Sequence, residues 1–119
     1  MANELTLSAS FRYQKNGITQ PRSYSDQVTV TGNEFAHNVQ TIGTTAEAID
    51  VGDVGTAGYC AFQNLDSTNF VEIGREDTGT FRAVVKLKAG EFAILRSGAT
   101  LYAKADTASC NLECWVFED

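Results

Sequence analysis

CNLECWVF, residues 110–117, alternates with a period of two. Cys110, Leu112, Cys114 and Val116 fall on one face, and Asn111, Glu113, Trp115 and Phe117 on the other. Successive side chains of a strand point to opposite sides of a sheet, so the first set reads as core. Trp115 and Phe117 then stand together on the outside. Large aromatics are enriched at interface cores, and an exposed apolar patch marks a contact site. Cover by the chain's own loops is the alternative, and the sequence leaves both open.

The same period runs through most of the chain. In LTLSASFRY (5–13), Leu5, Leu7, Ala9, Phe11 and Tyr13 face one way and Thr6, Ser8, Ser10 and Arg12 the other, as in a strand with one buried face. Asn16-Gly17 is a strong turn signal. The polar segment around Pro21 reads as a loop or edge, QVTVT (27–31) and FAHNVQTI (35–42) as strands. AEAIDV is short enough to be a helical turn or a strand, and VGDVGTAG is a Gly-rich loop. YCAFQNL (59–65), a turn at Asp66–Asn69 and FVEIG (70–74) read as a hairpin. TFRAVVKL, FAILR, TLYAKA and CNLECWVF follow, separated by turn residues.

Many short strands punctuated by turns, with no helical stripe, predict an all-β fold. We expect a two-sheet antiparallel sandwich of jelly-roll type, eight to ten strands, in a single domain over residues 1–119. Strand order cannot be read from periodicity, so an up-and-down barrel stays open.

The charge is −6 and the pI about 4.6. Such a surface repels phosphate backbones and anionic membranes, so neither nucleic acid nor membrane is expected as a partner. No apolar run is long enough to span a bilayer, and MANELTLSAS has no signal-peptide pattern, which predicts a cytoplasmic chain. Three cysteines, Cys60, Cys110 and Cys114, then read as free core thiols. Cys110 and Cys114 would lie roughly 13 Å apart along one strand, too far for a disulfide or one zinc.

Several motifs invite chemistry. Asp77-Thr78-Gly79 is the tripeptide of aspartic proteases. Its flank, Gly74-Arg75-Glu76, is charged where that site wants an apolar strand, and Asp, Thr and Gly are turn residues in their own right. DTG is therefore expected to turn one strand into the next. Gly52-Asp53-Val54-Gly55 has neither the helix nor the lysine of a phosphate loop. Asp50 and Asp53 lack calcium-loop spacing. His37, the only histidine, sits in a strand with no nucleophile motif and reads as a surface or interface residue. No catalytic residue, metal or cofactor is expected. Arg75, Arg82, Lys86 and Lys88 form a loose basic cluster suited to an acidic patch on a neighbouring copy, or simply to solvent.

Residues 57–119 resemble small structural proteins of tailed bacteriophages. The resemblance lies in AFQNLDSTNFVEIG, VKLKAGEFAILR, LYAKA and the hydrophobic strand ending in Glu118-Asp119. It implies a non-catalytic β-sandwich component of the virion, assembled in the host cytoplasm. A capsid decoration (cement) protein acting as a homo-oligomer on the major capsid protein is the leading expectation. A tail or baseplate position, with tail proteins as partners, is the alternative, as is a carbohydrate-binding module with Tyr24, Tyr59, Tyr102 or Trp115 as platforms. The expected interface residues are Trp115, Phe117, Arg82 and Lys86.

Overall fold

The computed structural model describes residues 3–119, and every regular element in it is a strand. The ten strands are β1 (Leu5–Lys15), β2 (Ile18–Val28), β3 (Phe35–Ile42), β4 (Glu47–Ala48), β5 (Ala57–Asn64), β6 (Val71–Asp77), β7 (Thr80–Leu87), β8 (Phe92–Arg96), β9 (Tyr102–Ala105) and β10 (Cys110–Glu118). Contacts divide the chain into two compact units, one ending at Thr31 and one from Gly32 to Asp119.

The larger unit is a sandwich of two antiparallel four-stranded sheets. The first has the order β3-β10-β5-β8 and the second β4-β9-β6-β7. Every connection from β3 to β10 changes sheet except β6–β7. This is jelly-roll order, and it excludes the up-and-down barrel. The inner faces carry the alternating residues that the sequence assigns to the core. Cys110, Leu112, Cys114 and Val116 of β10 pack with Ile42, Phe62, Val71, Ile73, Leu87 and Ala103. All three cysteines are free and buried. Desolvation pushes Cys60 up to about 11 and Cys114 up to about 12, so both are neutral thiols at ordinary pH.

The expected hairpin from YCAFQNL to FVEIG is not one: β5 belongs to the first sheet and β6 to the second. Asn64 explains the corner. It is fully buried, and its Nδ2 donates to the carbonyls of Asn69 (2.9 Å) and Leu87 (3.0 Å). Its Oδ1 accepts from the Asp66 N–H at 2.9 Å. One amide thus ties the end of β5 to the end of β7 in the opposite sheet. Asp66 completes the corner by accepting from the N–H groups of Asn69 and Thr68, which hold its carboxyl below the usual range. Turn residues make tight hairpins and sheet-to-sheet corners alike, so composition does not tell them apart.

DTG does turn β6 into β7. Asp77 pairs with Thr80, and Thr78 (φ 52°) and Gly79 (φ 82°) are both left-handed, as a two-residue I′ turn requires. A register shift at Ile73/Gly74 bends this hairpin, and a Cβ on Gly74 would strike the Arg82 carbonyl oxygen. AEAIDV supplies the two-residue strand β4.

The smaller unit departs most from expectation. β1 and β2 pair over eleven residues each, from Leu5↔Val28 to Lys15↔Ile18, around an Asn16-Gly17 turn with φ of 52° and 77°. The polar segment around Pro21 is edge strand, the second of the two readings the sequence allowed, and QVTVT contributes only the end of β2. Directly opposed residues share a face, so Leu5, Leu7, Ala9, Phe11 and Tyr13 lie with Ile18, Tyr24 and Val28. The face is as alternating as predicted, but of it only Leu7 is buried. Phe11, Tyr13, Ile18 and Tyr24 are each half exposed or more.

Candidate functional site

The outer face of the first sheet is the clearest candidate. Cross-strand register builds it row by row. Val39, Glu113, Gln63 and Phe92 make one row, and His37, Trp115, Ala61 and Ile94 the next. Phe35 and Phe117 pair beyond them, and Tyr59 pairs with Arg96 on the far side. These are the outward positions of strands whose inward positions fill the core, so the alternation that makes the sandwich also lays out this surface.

The rings form a connected stack. Phe35 and Phe117 lie 5.3 Å apart, His37 and Trp115 lie 5.1 Å apart and nearly parallel at 8°, and Phe92 tilts against Trp115 at 6.1 Å. His37 Nε2 also donates to Glu113 Oε2 at 2.8 Å, which fixes the imidazole over the indole. Arg96 lies over the Tyr59 ring and holds Asp119 at 2.9 Å. Around these pre-arranged groups, Phe35 (56%), Val39 (53%), Phe92 (51%) and Ile94 (42%) stay largely open to solvent. Monomeric proteins rarely leave such a contiguous apolar patch uncovered.

The outer face of the second sheet differs in kind. Its paired row is Lys104, Glu72 and Lys86, with Tyr102 beside it. Lys86 lies 4.1 Å from the Phe70 ring centre, and Arg75 reaches Asp77 at 3.6 Å. The four residues expected at one interface therefore separate. Trp115 and Phe117 are half-buried in the aromatic face of the first sheet, whereas Arg82 and Lys86 stand on β7 of the second. Phe35, Val39, Phe92 and Ile94 were missed because β3 and β8 give no sign, from sequence alone, of flanking β10 and β5. Once that order is known, the outward residues of FAHNVQTI and FAILR identify themselves.

The other candidates take simpler places. His37 is half exposed at the surface, as expected. Of the aromatic sugar platforms in the sandwich, Tyr59 and Trp115 share the outer face of the first sheet, Tyr59 under Arg96 and Trp115 under His37, whereas Tyr102 belongs to the second sheet; Tyr24 is on β2 of the smaller unit. Asp50 accepts from the Gly52 N–H in its own loop. Among the described residues no cluster of three His, Cys, Asp or Glu side chains could hold a metal. A cleft of about 480 Å³ opens between the sheets, lined by Ile49, Val51, Phe62, Leu101 and Val116 with Cys60 at its wall. Burial raises the Cys60 thiol to about 11, which keeps it in its protonated form at ordinary pH. Compared with known proteins, the chain matches no family model, no curated protein and no solved structure.

Proposed function

We propose that this protein is a non-catalytic structural component of a tailed-phage virion, a capsid decoration protein in the leading version. It works through repeated protein–protein contacts made by the outer face of the β3-β10-β5-β8 sheet. The observation that carries this reading is the stacked aromatic surface of Phe35, His37, Trp115, Phe117 and Phe92, rimmed by exposed Val39 and Ile94. A face built this way is pre-ordered, so association immobilises few side chains and keeps more of its free energy. Jelly rolls serve viral shells among other uses, which fits the reading. Many copies multiply a modest contact into shell reinforcement. The resemblance of residues 57–119 to phage structural proteins supports the particle, and a tail or baseplate site would use the same surface.

The test is co-sedimentation of purified protein with empty capsids, and separately with tails, of the phage that encodes it. The expected result is saturable binding to capsids at fixed stoichiometry, weakened by Trp115→Ala. Binding to tails alone moves the site on the particle, and binding to neither overturns the reading.

A further inference from the structure

Among the described residues two apolar surfaces are exposed, and the units that carry them have charges of opposite sign. The β1–β2 hairpin is the second: Phe11 (63%), Tyr24 (54%), Ile18 (52%) and Tyr13 (50%) share one side of it. A two-stranded ribbon is marginal in water by itself and gains stability when its apolar side is covered. Of the nine basic residues three (Arg12, Lys15, Arg22) precede Gly32, against only two (Glu4, Asp26) of the fifteen acidic ones. The hairpin is thus net +1 and the sandwich −7, within the total of −6. The apolar side of the hairpin carries Lys15, Arg22 and Asp26, net +1, whereas Glu113 lies among the aromatics of the first sheet, where Arg96 is already paired with Asp119.

We infer that the apolar side of the hairpin of one copy docks on the aromatic outer face of the first sheet of a second copy. This rests on the assembly reading above and names the partner of that same surface. Like charges disfavour hairpin against hairpin and sandwich against sandwich, and opposite charges favour the crossed pairing. The link between units also favours exchange. The Val30 N–H is held by Glu4 at 3.0 Å, and the Asn33 N–H by Glu118 at 3.0 Å, which leaves Thr31 and Gly32 between the two anchors. Short hinges promote exchange of an element between copies. Size adds a constraint. A ribbon about 35 Å long and 10 Å wide buries roughly 700 Å² counting both partners, below a standard interface. Each copy must therefore both give a hairpin and receive one, and the exchange closes into a defined oligomer.

Two single variants at exposed positions, Phe11→Cys and Ile94→Cys, test the pairing in the full chain under mild oxidation. The three native thiols are buried and contribute no background. Covalent dimers are expected when the two variants are mixed, and not from either alone. Dimers from Phe11→Cys alone would mean hairpin on hairpin, and from Ile94→Cys alone sheet on sheet. Either result overturns the inference, as does a Phe11→Cys/Ile94→Cys double variant that closes only within one chain, or no cross-link in any mixture. Capsid co-sedimentation is read separately, so loss of cross-linking with retained capsid binding rejects the exchange and spares the virion role. Cross-linking without particle binding does the reverse.

Discussion

The two outer faces of the sandwich are built by the same rule and came out differently. Both sheets alternate, and both send small and branched apolar residues inward, to one shared core. Outward, the first sheet shows Phe35, Val39, Trp115, Phe117, Phe92 and Ile94, and the second shows Lys104, Glu72 and Lys86. A charged row solvates a face and keeps it apart from its neighbours. A stacked aromatic row leaves hydration unsatisfied until something covers it. Folding explains the inward residues of both sheets, and only the outward residues of the first call for a partner. The one large exposed apolar residue on the second sheet, Val84 at 81%, lies at the register shift of β6–β7 and stands alone.

Substitutions can break this contrast, beginning with the corner that holds the sheets together. Asn64→Leu leaves the Leu87 and Asn69 carbonyls and the Asp66 N–H without their partner, at a cost of about 3 kcal/mol or more. Urea unfolding would show it as a lower midpoint, with both outer faces lost together. Next comes the contrast itself. Ile94→Glu should weaken assembly by about 2 kcal/mol, roughly thirtyfold, with the circular dichroism spectrum unchanged. Lys104→Glu on the second sheet should leave assembly within twofold. Equal effects of the two in sedimentation equilibrium would erase the distinction between the faces.

Acid is a gentler probe. Backbone donors hold Asp66 and Glu118 below their usual range, so each contributes stability that is present above its unfolded pKa, 3.8 and 4.5 respectively. That contribution is lost as pH falls through the lower folded values. Stability should stay level down to about pH 4.5 and decline below it, and Glu118→Gln should flatten part of that decline. The smallest effect concerns the β6–β7 turn. Thr78 is a β-branched residue at positive φ, where the Asn16-Gly17 turn has asparagine. Thr78→Asn should raise stability by about 0.5 kcal/mol in thermal unfolding, without altering assembly.

Much of the sandwich was legible because burial on one face imposes a period of two. β10 and the cores of β3 and β5 follow directly from it, as does the DTG turn; in β7 only Val85 and Leu87 keep the inward face expected of Phe81, Ala83, Val85 and Leu87, because the register shift at Ile73/Gly74 leaves Ala83 exposed. Strand order was not legible. It depends on which corners cross between sheets, and LDSTN looks like a hairpin turn until Asn64 is seen bonding to Leu87. The hairpin of residues 5–28 shows the converse limit. Alternation marks an apolar side and says nothing of what covers it, so LTLSASFRY reads as core and stands exposed. For the candidate surface, Trp115 and Phe117 could be picked from one strand. Phe35, Val39, Phe92 and Ile94 needed the β3-β10-β5-β8 order, and Arg82 and Lys86 were drawn in by charge alone.

The most direct measurement is solution mass by light scattering behind size exclusion, over a hundredfold range of concentration, for the native chain and Ile94→Glu. The account predicts a closed oligomer of fixed mass for the native chain, and for the folded variant dissociation towards monomer at concentrations about thirtyfold higher than for the native chain. A native chain that is monomeric throughout, or a variant of unchanged mass, would contradict the claim that the aromatic face is an assembly surface.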